Sequence, residues 1–95
     1  MEDNRLELYQ QALEKWGAEP QITTAIEEMS ELTKELCHYL RGNRKNNAES
    51  ISEEIADVEI MLEQLKFTVF KNSFQVMMKK KSKLNRLGKT LEEEK

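Results

Sequence analysis

Two pairs of carboxylates, each set three residues apart, give this chain its clearest chemical potential: Glu28 with Glu31, and Glu54 with Asp57. On a helix, side chains three apart are neighbours on one face, with Cβ atoms about 5–6 Å apart. Each pair sits in a denser acidic run, Glu27-Glu28-Met29-Ser30-Glu31 and Glu53-Glu54-Ile55-Ala56-Asp57. Carboxylates held that close repel one another unless protons or a cation bridge them. An all-oxygen donor set suits a hard divalent ion, Mg²⁺ first and Mn²⁺ second, of the kind that also binds substrate phosphates. The ferritin-like di-iron pattern is a poorer fit, because its Glu-x-x-His repeat is absent and His38 is the only histidine. Cys37 has no basic neighbour except His38 and reads as a small hydrophobe.

Helical phase separates these four acids from ordinary surface ones. The second long helix of the periodic pattern carries Ile22, Ile26, Met29, Thr33, Leu36 and Leu40, and the third carries Ile51, Ile55, Val58, Leu62, Leu65 and Val69. Both follow the alternating four-three rhythm of one helix face. At about 100° per residue, Glu54 lies about 60° and Asp57 about 120° from Ile51, while Glu28 lies about 120° and Glu31 about 180° from Ile22. The acids therefore line a groove beside a second apolar face that holds Leu32, Tyr39, Ile60 and Met61. Helices with two apolar faces predict a homo-oligomer, because one face packs within the chain and the other against a copy.

The elements that position these residues are helical throughout. A first helix is expected from about Asn4 to Lys15, ended by Gly17, with Pro20 in the first turn of the second, which stops at Gly42. The polar stretch from Gly42 to Glu49 reads as a loop, with Ser50 or Ser52 capping the third helix. Lys71-Asn72-Ser73 breaks the pattern before a fourth helix from about Phe74 to Leu87, closed by Gly88, with residues 89–95 frayed. The expected fold is all-α: one domain over residues 1–95, an antiparallel bundle of about four helices.

Composition agrees with this reading. The chain has 95 residues, three glycines and one proline, too few turn formers for a many-stranded sandwich. Its apolar runs are too short for a bilayer, its start lacks a secretory pattern, and a single cysteine suits a reducing cytoplasm. The net charge of −3 conceals strong segregation. Residues 1–35 carry −6 and residues 48–66 carry −5, whereas residues 67–89 carry seven bases and no acid. Nucleic-acid binding is disfavoured, because the basic segment lacks interleaved aromatics and the pI is about 5.3.

Together these residues resemble the MazG-like nucleoside triphosphate pyrophosphohydrolases, whose signature is E-x-x-E, a spacer, then E-x-x-D on two antiparallel helices. The resemblance also takes in Lys15-Trp16-Gly17 with Gln21, Leu40-Arg41-Gly42, the run from Glu53 to Leu65, and Lys83-Leu84-x-Arg86-Leu87. It implies an all-α homodimer or homotetramer that cleaves a nucleoside triphosphate to the monophosphate and pyrophosphate with Mg²⁺. By position, it implies Glu28, Glu31, Glu54 and Asp57 as metal ligands and Lys83 and Arg86 as phosphate contacts. Trp16 has two readings beside the resemblance: a ring that stacks on the base, with Gln21 reading its edge, or a hydrophobic anchor between the first two helices. Phosphoribosyl-ATP pyrophosphohydrolase is a related alternative, and a non-catalytic helical oligomerisation module is the alternative of a different class.

Overall fold

The computed structural model describes residues 3–42 and 47–94. Among them are four α-helices: α1 (Arg5–Trp16), α2 (Ala18–Leu40), α3 (Ala48–Gln64) and α4 (Ser73–Glu93). No strand occurs among the described residues. A π-helical turn over Leu65–Val69 continues α3 without interruption. Gly17 makes the corner between α1 and α2 at φ 87°, a conformation open to glycine, and its N–H donates to the Leu13 carbonyl at 2.8 Å. Pro20 lies in the first turn of α2, where a missing N–H costs nothing.

α2 and α3 form the main packing of the chain and run antiparallel. At one end the Asn47 side-chain amide donates to the Glu35 carbonyl at 2.6 Å. At the other, Gln21 and Gln64 line one cavity. The face that α2 turns inward is shifted by one residue from the stripe expected on periodicity. Gln21 and Ala25 are buried, and Glu28, Leu32 and Glu35 are half-buried, while Ile26, Met29, Leu36 and Leu40 are exposed. A one-residue shift keeps the four-three rhythm and rotates the face by about 100°. On α3, Val58 and Met61 are buried and Glu54 is half-buried, but Ile55 and Leu62 stand exposed. Leu32 and Met61, expected at an interface between copies, thus pack within the chain, leaving Tyr39 and Ile60 exposed. The reason is steric: Ala25, 1% exposed, is small enough to let α3 approach closely, and a chain with two apolar arcs per helix can bury only one.

α1 is held across the far end of the pair. Tyr9, its buried residue, donates its hydroxyl to Glu63, and Arg5 reaches the same carboxylate at 3.2 Å. Burial and then Glu63 push the Tyr9 phenol up to about 12. In a Tyr39→Phe background, ultraviolet titration of the remaining tyrosine is expected to show a midpoint near pH 12. A midpoint near 10 would mean that α1 does not dock on α3.

α4 departs most from expectation. It begins at Ser73, after Lys71 turns the chain at φ 49°, and runs through Gly88 to Glu93 instead of ending at Leu87. Gly88 has helical space around it, and the residues beyond it are helix formers, so the local cost of about 1 kcal/mol does not end the helix. The expected frayed tail is therefore helical up to Glu93. Capping of α3 also differs: the helix starts at Ala48, after Asn47, and the Ser52 hydroxyl donates back to the Ala48 carbonyl. Residues 43–46 of the expected loop lie outside the described residues.

The apolar core is small. Its buried members are Tyr9, Ala25, Val58 and Met61, and α4 contributes none. The chain exposes 7815 Å². A folded monomer of 11.2 kDa exposes about 5,700 Å². The radius of gyration is 16.6 Å, against about 12 Å for a compact 95-residue chain.

Candidate metal centre

The α2–α3 seam brings three carboxylates together. Glu28 from α2 and Glu54 and Asp57 from α3 each offer an oxygen, and these oxygens all lie within 4.8 Å of one another. The four-three rhythm of the inward faces dictates this meeting. Glu28 follows Ala25 by three residues and Glu54 precedes Val58 by four, so both acids stand in line with the residues that make the helix contact. Asp57 sits one turn beyond Glu54 at the rim and is exposed.

The electrostatics record the crowding. Burial, and then the charges of Asp57, Glu54 and Glu31, hold the Glu28 carboxyl above the usual carboxylate range. Burial likewise raises Glu54, followed by Asp57, Glu31, Glu35 and Glu53. One oxygen of Glu54, Oε2, is buried with no hydrogen-bond partner. An acceptor withdrawn from water without a donor is costly, and a cation satisfies it directly. The donor set therefore fits a hard divalent ion: two half-buried carboxylates at the base, one at the rim, all oxygen.

Glu31, the fourth acid of the expected set, is exposed and acts on both Glu28 and Glu54 through its charge while standing outside the close triad. Glu27 and Glu53 are exposed, and Glu53 contributes to the field on Glu54. Glu35 was not among the expected site residues, yet its charge also reaches Glu54. Its spacing, seven residues after Glu28 and four after Glu31, was the available signal. Glu35 also pairs with His38 at 3.5 Å, which gives the lone histidine a local role.

Trp16 and Gln21 come together as expected. Both line a cavity of about 710 Å³ between α1, α2 and α3, with Tyr9, Met61 and Gln64. Gln21 is 5% exposed, and its Oε1 has no hydrogen-bond partner. Trp16 is exposed, with the Lys15 ammonium 5.6 Å from its ring centre. Gln21 lies two turns, about 10 Å, before Glu28 on the same inward line of α2, with buried Ala25 between them. Gln64, another unforeseen member, donates only to the Met61 sulfur, a weak acceptor.

Lys83 and Arg86 stand elsewhere. α4 packs against the π-turn after α3, and neither residue forms a hydrogen bond or ion pair with the carboxylates. Comparison with family models, characterised proteins and solved structures finds no match for this chain in any of the three.

Proposed function

We propose that this protein is a cytoplasmic, Mg²⁺-dependent hydrolase that cleaves a nucleoside triphosphate, NTP or dNTP, to the monophosphate and pyrophosphate. The observation that supports this reading best is the close triad of Glu28, Glu54 and Asp57, with one Glu54 oxygen buried and unpartnered. Those three residues would hold the ion, with Glu31 at the open edge, and Mn²⁺ is the natural substitute. A bound Mg²⁺ supplies charge neutralisation for polyphosphate oxygens and a water of lowered pKa.

The chain's own residues supply the rest. The carboxylates fix where the polyphosphate can sit, because only a cation-bridged anion tolerates so acidic a groove. The adjoining cavity takes the nucleoside: Trp16 offers a ring face, and the free Gln21 Oε1 accepts a hydrogen bond from a base. Replacing Trp16 with alanine is expected to lower kcat/KM about tenfold, mostly through KM, since stacking contributes about 1–3 kcal/mol. A Trp16→Phe variant should recover most of that loss. An unchanged KM in Trp16→Ala would place the base elsewhere.

Self-association belongs to the same reading, as a homodimer or homotetramer. No helix among the described residues is long and apolar enough to cross a membrane. The exposed stripe of Ile26, Met29 and Leu36 on α2 adjoins Ile55 and Leu62 on α3, and a contiguous apolar face of this kind marks an interface. The direct test of the activity is a panel of canonical and modified NTPs and dNTPs with Mg²⁺ or Mn²⁺, followed by pyrophosphate release. Metal-dependent release from at least one member supports the proposal. No release from any member at high enzyme concentration contradicts it and favours a non-catalytic helical module.

A further inference from the structure

We infer that α4 is an exchanged arm, which lays its apolar side on the exposed α2–α3 stripe of a second copy while receiving that copy's α4 in return. Helical phase sorts α4 into two sides. Phe74, Met77, Leu84 and Leu91 share one arc, with Lys80 at its edge and Lys81 within it, while Lys79, Lys83 and Arg86 occupy the opposite arc. Every residue of the apolar arc is at least half exposed: Phe74 65%, Met77 55%, Leu84 63% and Leu91 59%. α4 fully buries no side chain, and only Ser73 and Val76 are half-buried where it meets the π-turn; a 21-residue helix with so little burial is marginal in water, so this one needs a surface to lie on.

The chain itself offers a matching surface. The stripe of Ile26, Met29 and Leu36 with Ile55 and Leu62 lies about 100° around from the inward faces of both helices. Because α2 and α3 are antiparallel, that offset brings both stripes to the same side of the pair. The carboxylates Asp57 and Glu31 are displaced in the other sense, so the arm leaves the metal groove open. Lengths agree: α4 has 21 residues and α2 has 23.

Charge agrees with a copy of this chain as the occupant: by helical phase Glu19 of α2 and Glu59 of α3 border the exposed stripe, and Lys80 and Lys81 lie beside the apolar residues of α4. Area agrees as well. The surface in excess of a compact monomer is about 2,100 Å², and a stable interface needs about 800 Å² per partner.

This inference rests on the self-association part of the proposed function and not on the metal. Its test uses the full chain in a Cys37→Ser background. One preparation carries Met29→Cys, at the middle of α2, and a second, differently sized by a tag, carries Leu84→Cys, at the middle of α4. Middle positions meet whether the arm runs parallel or antiparallel to α2. Mixed and mildly oxidised, the two are expected to give mainly the unlike disulfide pair. In parallel, Leu84→Glu should raise the dimer Kd about 100-fold by sedimentation, with the helical circular dichroism retained. A wild-type chain that sediments as a monomer at tens of micromolar overturns both the arm and self-association. An oligomer that cross-links only like with like overturns the arm alone. A monomer that binds phosphatidylserine vesicles through α4 would identify a lipid surface as the occupant and overturn the arm.

Discussion

Replacing Glu54 with glutamine is expected to abolish turnover and, in the same protein, to raise the melting temperature of the metal-free form at neutral pH. The two effects have one cause. In the folded chain, burial and the neighbouring acids raise the Glu54 pKa above its ordinary value of 4.5. A carboxyl with a raised folded pKa contributes stability that is fully present below the unfolded value and is lost as pH rises through the folded value. The wild-type metal-free protein should therefore lose stability as the pH climbs above about 4.5, with Glu28 adding to the loss in the same direction. Glu54→Gln removes the Glu54 part of that decline, so the two melting curves should coincide in acid and separate towards pH 7. Activity should fall about 10²–10³-fold or more, the scale set by deleting one charge-stabilising group in an active site. A variant that melts below wild type at every pH, or one that turns over normally, contradicts this reading of Glu54.

The second large effect is stabilisation by the cation. On the proposed reading Mg²⁺ binds the folded triad and not the unfolded chain, so the expected gain at one hundred times Kd is about 2.7 kcal/mol. For a domain of this size each kcal/mol shifts Tm by about 4–8 °C, which puts the rise at about 10–20 °C. Protons compete for the same oxygens, so the rise should shrink as the pH falls towards 4.5. Chelation should return the protein to its metal-free melting curve. An equal rise in Glu54→Gln or Asp57→Asn would assign the stabilisation to general ionic screening instead of the triad.

How much of this was legible beforehand differs from element to element. Four helices, their order and the antiparallel pairing of the two long ones followed from apolar periodicity and from Gly17, Pro20 and Gly42. The convergence of Glu28, Glu54 and Asp57 followed from i,i+3 spacing on neighbouring helices. Which arc of each helix faces inward did not follow. The Ile22 and Gln21 registers share one rhythm, and the choice between them depends on Ala25 permitting close approach, a tertiary fact. The extent of α4 was also misjudged, because Gly88 reads as a terminator only when its φ turns positive, and here it does not. Glu35 escaped notice because it lies outside the E-x-x-E spacing, although it shares the face of Glu28.

The exposed apolar arcs connect these observations. A helix pair that half-buries Glu28 and Glu54 and exposes Ile26, Met29, Leu36, Ile55 and Leu62 leaves apolar surface in water as a monomer, and assembly of copies would cover it. On the proposed reading the exposed apolar stripe supplies the interface, and the acidic seam is left free to bind a charged ligand.

The measurement that bears most directly on the central claim is Mn²⁺ titration followed by electron paramagnetic resonance, where the free ion's signal disappears as it binds. The wild type is expected to show saturable loss of that signal at sub-millimolar Mn²⁺, with competition by Mg²⁺, and Glu54→Gln no saturable loss. An undiminished free-ion signal in the wild type at millimolar Mn²⁺ would show that Glu28, Glu54 and Asp57 hold no divalent cation.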